Sequence, residues 1–208
     1  MHINSLVLRC AAGLLAGASI ATTMVAPAIA ADAPVRIRGQ IAAVDAASIT
    51  VKSREGETVK LAMKPDQAIS AVKNLQLADI QKGGYIGTAT RPGPNGTLEA
   101  VEVLVFPESA RGTGEGHYAW DLLPGSMMTN ANVEASLDSV NGRTLKLAYK
   151  GGVKEVVVPA GTPVVTFAPA SRADLIVGKK VFVVATDGAA GMSAGRIVVE
   201  KDGVAPPM

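Results

Sequence analysis

The chain is poor in the residues that most protein chemistry relies on. Its 208 residues hold one cysteine, two histidines and 3 % aromatics. One cysteine excludes an internal disulfide framework and a cysteine-ligated zinc cluster. Neither sign of charge dominates: 20 Lys and Arg stand against 18 Asp and Glu, a net charge of +2. A chain so balanced and so short of aromatics lacks both the basic footprint and the stacking platform of a nucleic-acid binder. After Ala30 no uncharged apolar run approaches the roughly 20 residues of a membrane span. Hydrophobic residues themselves are plentiful at 48 %, which excludes a disordered chain.

What is present begins with an address. Arg9 precedes an uncharged stretch from Cys10 to Ala31 that closes on Ala26-Pro27-Ala28-Ile29-Ala30-Ala31. A positive start, an apolar middle and small residues at −3 and −1 (Ala28 and Ala30) read as a secretory signal peptide over residues 1–30, cut between Ala30 and Ala31. A transmembrane anchor fits less well, because the run is mostly Ala, Gly, Ser and Thr, contains Pro27 and has no basic stop after it. Cys10 lies too early, and follows Arg9, for a lipoprotein. The expected location is the periplasm. Cleavage removes His2 and Cys10 and leaves His117 as the single histidine, which eliminates every thiol mechanism.

The remainder repeats itself. At an offset of 96, Ile37, Ile41, Val44, Ile49 and Val51 fall on Val133, Leu137, Val140, Leu145 and Leu147. At 95, Ala78-Asp79-Ile80-x-x-Gly83 falls on Ala173-Asp174-Leu175-x-x-Gly178, and Ile86 and Thr88 meet Val181 and Val183. At 94, Ala100, Val103 and Val105 meet Ala194, Ile197 and Val199. Within each copy apolar and polar residues alternate, as in Val35 to Ile41, with turn residues every eight to twelve positions. That period predicts short, half-buried strands. Asn141-Gly142 fits a tight hairpin. Asp79 and Asp174 are expected to cap equivalent turns that Gly83 and Gly178 complete with a positive φ.

About six strands in roughly 70 residues is the size of a small closed barrel. The expected fold is all-β, two tandem OB/SH3-like β-barrels packed on each other. The corresponding division is a signal peptide at 1–30, β-barrel repeat 1 at 31–106, a central connector at 107–131, β-barrel repeat 2 at 132–201 and a tail at 202–208. An eight-to-twelve-strand sandwich shared between the copies is the alternative.

The pattern Gly39-x-Ile41-x-x-Val44, Ile49-Thr-Val-Lys52, Ala78-Asp-Ile-x-x-Gly83 and Ala100-x-Glu-Val103 resembles a family of secreted bacterial proteins built from small β-barrel repeats. That family carries only a domain-of-unknown-function label. Arg111-Gly-Thr-Gly-Glu-Gly-His117, Trp120-Asp121, Met128-Thr-Asn-Ala-Asn132 and the ending Asp202-Gly-Val-Ala-Pro-Pro-Met208 resemble its two-copy members. The resemblance implies a periplasmic home and no reaction. Some relatives are labelled metal ABC transporter permeases, a label at odds with the absence of a spanning run after Ala30.

The central segment fits neither repeat and concentrates the scarce side chains: His117, Tyr118, Trp120 and Asp121, with Met127 and Met128 near. As a connector, Tyr118, Trp120 and Leu122 would plug the seam between barrels. As a binding surface, Trp120 and Tyr118 would anchor a ligand or partner. His117, Met127 and Met128 suit copper(I), although adjacent methionines on a strand face opposite ways. Ser126, His117 and Asp121 are triad types without a nucleophile elbow. Gly112-Thr-Gly-Glu-Gly116 is not a dinucleotide fingerprint, since no βαβ unit surrounds it.

These features lead to a non-catalytic soluble periplasmic protein, without cofactor, acting as a ligand-binding or envelope-interaction module. A copper-type metal-handling accessory is second and a hydrolase third. Its partner is a small ligand or an envelope protein, not nucleic acid, and its site residues are His117, Tyr118, Trp120 and Asp121. Alternation on an extended chain points Tyr118 and Trp120 inward, with Trp120 buried, and His117 and Asp121 outward. Intact-mass measurement of the exported protein is expected to show a chain beginning at Ala31 in the soluble periplasmic fraction. A species that keeps Met1 in the membrane pellet contradicts the signal peptide.

Overall fold

The computed structural model describes residues 34–139 and 142–208. The expected signal peptide, its Ala30–Ala31 junction, and Val140 and Asn141 lie outside the described residues. The rest is all-β, as expected. Thirteen strands run β1 (Val35–Val44), β2 (Ser48–Ser53), β3 (Thr58–Ala62), β4 (Ile69–Asn74), β5 (Tyr85–Pro92), β6 (Leu98–Val105), β7 (Gly116–Ala119), β8 (Met127–Ser139), β9 (Gly142–Tyr149), β10 (Gly152–Pro159), β11 (Val164–Pro169), β12 (Lys180–Thr186) and β13 (Ser193–Val199). The strands form where alternation is clearest. In β2, Ile49 and Val51 are fully buried while Lys52 is exposed.

Pairing turns these strands into two closed circuits. β1, β2 and β3 form an antiparallel meander. β12 lies on the other side of β1, β13 pairs with β12, and a parallel bridge between Ser193 and Ala62 joins β13 to β3. In the second circuit β8, β9 and β10 form the meander, β5 lies beside β8, β6 pairs with β5, and β10 joins β6 in parallel. β4 and β11 pair antiparallel with each other and parallel to β13 and β6 respectively, so they link the circuits. Closure leaves few free edges in a chain rich in Val and Ile.

The circuits do not follow the expected boundaries of 31–106 and 132–201. The first combines β1–β3 with β12 and β13, and the second combines β8–β10 with β5 and β6. The apolar clusters divide the same way. Ile37, Ile41, Ile49, Val51 and Leu61 pack with Val183, Ile197 and Val199. Ile86 and Val103 pack with Val133, Leu145, Leu147 and Val156. A third cluster of Val72, Leu104, Val165, Phe182 and Val198 gathers side chains of β4, β6, β11, β12 and β13, with Met208 of the tail packed among them. The physical reason is the course of β4. It leaves the first circuit and pairs with β11, so the chain emerges into β5 on the far side.

The two circuits match pair for pair. Ala89–Glu102 and Thr90–Ala100 in one correspond to Val184–Arg196 and Ala185–Ala194 in the other, each with a bulge at the same step. β2 and β9 match at the expected offset of 96, but β1 and β8 match at 92. Ile41 opposes Val51 just before a bulge, and Val133 opposes Leu147 just before its equivalent. The hairpin of β8 and β9 is therefore four residues longer. The expected match of Ile41 to Leu137 fails on burial, since Ile41 is 1 % exposed and Leu137 66 %. An error of four keeps every side chain on its expected face, which is why the pattern could not reveal it.

Two single-turn 3₁₀ segments, Leu77–Asp79 and Arg172–Asp174, precede β5 and β12. Asp79 Oδ2 accepts from the Gln76 N–H and Asp174 Oδ2 from the Ser171 N–H, both at 2.8 Å. Gly83 (φ 83°) and Gly178 (φ 89°) then turn the chain into the next strand.

Because each circuit draws on both halves, residues 32–106 expressed alone are expected to be unfolded or to dimerise by lending β5 and β6 to a second copy. Circular dichroism with analytical ultracentrifugation distinguishes these outcomes. A folded monomer would show that one half closes on itself.

Candidate functional site

Residues directly opposite each other on paired strands share a face. On the outer face of the first circuit, Arg36, Val184 and Arg196 form one row across β1, β12 and β13, and Arg38, Phe182 and Val198 form the next. On the outer face of the second, Met128, Ala89 and Glu102 form a row across β8, β5 and β6, with Asn130, Gly87 and Leu104 beside it. A cavity of about 500 Å³ lies between these surfaces, with Arg36, Phe182 and Arg196 on one wall and Glu102, Leu104 and Met128 on the other. That volume is in the range of small-molecule pockets. Gly87 helps to keep it open. A Cβ there would stand 2.5 Å from Asn130 Oδ1 and 3.1 Å from the Phe106 ring.

The central segment forms the roof. β7 pairs with β8, which sets Tyr118 opposite Met128 and turns it toward the cavity. Trp120 meets Tyr118 edge-on with ring centroids 6.2 Å apart and also lines the cavity. The loop after Trp120 is closed by the Trp120 N–H donating to the Ser126 carbonyl at 2.8 Å. Three arginines hold this segment. The Arg36 guanidinium lies 4.1 Å from the centre of the Trp120 ring, and Arg38 lies 5.7 Å from it and 5.1 Å from Phe182. Arg38 donates to Asp121 Oδ1 at 2.8 Å, and Arg36 approaches the same carboxylate at 3.7 Å. Arg54 donates to the carbonyls of Asp121 and Leu122 at 2.6 and 2.7 Å. A cation over an indole contributes about 0.5–2 kcal/mol, so the clamp rests on several modest contacts.

The four expected site residues therefore divide. Tyr118 and Trp120 share the cavity side. Trp120 is half-buried rather than fully buried, and Phe182, Leu104 and Met208 form the apolar floor beneath the cavity. His117 faces the other way, with Nδ1 2.8 Å from Thr129 Oγ1 and its ring stacked 6.4 Å from Tyr149. Burial, aided by Lys154, holds its pKa below the usual histidine value. Asp121 is exposed, and its carboxylate is met from one side by Arg38 and Arg36. Burial works to raise its pKa, yet the Arg38 hydrogen bond and the two positive charges outweigh it and hold the carboxyl low.

The triad types do not meet. Ser126 Oγ shares its one proton between the carbonyls of Trp120 and Leu123 and accepts from the Leu123 N–H, while His117 and Asp121 have the other partners just described. Met128 lines the cavity opposite Tyr118, and Met127 lies one step along, opposite Ala119, on the other face. Among the described residues no group of three His, Cys, Asp or Glu could hold a metal.

Sequence reasoning missed Glu102. Set between Val101 and Val103, it reads as a solvent-side residue, but its strand is covered on both faces and it is 2 % exposed. Its Oε2 has no hydrogen-bond partner among the described residues, and the same holds for Trp120 Nε1 and Arg38 Nε. Burial pushes the Glu102 pKa up to about 8 against the opposing charge of Arg38, so the group is un-ionised at neutral pH. A buried, unpaired carboxyl at a cavity wall is a marker of a ligand site rather than of packing. Arg196 and Phe182 were also missed. Nothing in a local pattern sets them across from Glu102.

No family model matches the chain, and the comparisons with curated proteins and with solved structures found no match.

The raised pKa of Glu102 has a definite sign in folding. Below about pH 4.5 folded and unfolded states are both protonated there. Between that pH and about 8 the folded state holds a proton that the unfolded state has released, so stability falls as pH rises through this window. Glu102→Gln is expected to flatten that fall and to melt above the parent protein at pH 9. Identical profiles would mean that Glu102 is ionised in the folded protein.

Proposed function

We propose that this protein is a non-catalytic, soluble ligand-binding module of the periplasm. It is a duplicated unit, each circuit a small closed barrel that has exchanged its last two strands with its neighbour. The ligand occupies the cavity where the two outer faces meet. One observation carries the reading: an aromatic-lined cavity with a buried, unpartnered carboxyl in its wall. Apolar walls with a few convergent polar groups are the usual make-up of small-molecule sites.

Several features support binding over chemistry. Ser126 is engaged in closing its own loop, His117 is turned away from the cavity, and Asp121 is neutralised by arginines. The copper reading is weakened by the opposite facing of Met127 and Met128. Trp120 and Tyr118, both of them residues picked out by the sequence, act as the roof over the ligand.

N-phenyl-1-naphthylamine, a neutral dye that brightens in apolar sites, tests the proposal. Saturable one-site binding is expected, with energy transfer from Trp120, the only tryptophan in the chain. Val184→Phe fills the cavity from its wall and is expected to weaken the dye at least about tenfold with little change in melting temperature. Equal binding by both proteins, or none by either, would overturn the assignment.

A further inference from the structure

We infer that the ligand is an amphiphilic organic anion, an aliphatic or aromatic carboxylate or sulfonate, whose apolar body lies against Phe182, Phe106, Leu104 and Met128 and whose head pairs with Arg196 and Arg36. The inference rests on the cavity being the ligand site.

The positive charge at the cavity is unevenly satisfied. Arg36 and Arg196 both sit directly opposite Val184, one on each side of β12. Strands two apart are about 10 Å apart, so an anionic group above Val184 is within reach of both long side chains. Arg196 is exposed, forms no ion pair among the described residues and extends over the Phe167 ring at 6.0 Å. Arg36 is held to Asp121 at 3.7 Å, whereas Arg38 takes the same carboxylate at 2.8 Å. The tighter pair thus accounts for most of the Asp121 charge and leaves Arg36 partly free.

The opposite wall offers no competing anion. Its one acid is Glu102, which burial keeps protonated at neutral pH and which can then donate to a ligand oxygen. Tyr118, the other weakly acidic side chain of the lining, has its pKa raised by burial and is likewise neutral. The side chains of the lining therefore carry net positive charge over an apolar floor. A cation entering this space would meet two guanidinium groups and would have to strip the proton from Glu102. An anion gains charge-assisted, potentially bidentate arginine contacts while its tail is desolvated against aromatic surface.

Three probes with one tail and different heads test this at about pH 6.5, where a carboxylate is ionised and an amine protonated. Decanoate, decanol and decylammonium are titrated against the exported chain, with Trp120 emission as the readout. Decanoate is expected to bind at least about tenfold more tightly than decanol, with decylammonium weakest. Arg196→Gln is expected to reduce decanoate to the affinity of decanol while leaving decanol unchanged, and Arg196→Lys to restore part of the difference. Decylammonium binding as tightly as decanoate, or decanoate binding unaffected by Arg196→Gln, would overturn the anion inference while decanol binding keeps the cavity as a ligand site. Failure of all three to bind saturably would remove the cavity reading itself, and this inference with it.

Discussion

Five antiparallel residue pairs between β4 and β11, from Val165–Asn74 to Pro169–Ser70, decide where every other strand goes. Each of these strands leaves a three-stranded meander and, instead of folding back on it, crosses to its counterpart. The next two strands of the sheet, β5 and β6 after β4 and β12 and β13 after β11, are thereby delivered to the opposite circuit. The meanders are completed by strands distant in the chain, and Val72, Val165, Leu104 and Phe182 are buried by the crossing itself. Such long-range pairing carries a loop-closure cost before it is rewarded by burial. The circuits therefore stand or fall together.

The crossing also creates the candidate site. Outward faces of such circuits are ordinarily wet. Here two of them are brought toward each other, and the gap is roofed by the segment between β6 and β8. Arginines suit the roof because each can stack on an aromatic ring and still donate sideways. Arg36 lies over Trp120 while it approaches Asp121, and Arg54 ties down two backbone carbonyls of the loop. The price of this arrangement is Glu102, whose counterpart in the matching circuit is the exposed Arg196.

Much of the local structure was legible in the sequence. Alternation located the strands, and Asp79 with Gly83 and Asp174 with Gly178 located the matched turns. The gathering of Tyr118 and Trp120 in one segment was legible too, because large aromatics are scarce in this chain. The exchange of strands was not. Alternation reports which face a residue takes, not which strand lies beside it, and a strand paired with a near neighbour has the same pattern as one paired across the chain. The same limit hid Glu102. A polar residue between two valines reads as solvent-facing unless one knows that the other circuit faces it. Arg36 and Arg38 misled in the same way, since they alternate with apolar residues as surface cations do, yet they brace the roof.

Position 87 shows how little separates the two faces. In the first circuit the equivalent place is held by Phe182, which fills its surroundings; in the second there is only a hydrogen atom. Asn130, which any added carbon would strike, donates to the Tyr118 hydroxyl at 3.2 Å and to the Thr113 carbonyl at 3.1 Å. The size of the chamber and the anchoring of its ceiling are thus mechanically coupled at one backbone position. Substitution there would change the volume of the chamber, but each enlargement of that side chain would loosen the aromatic roof in the same step.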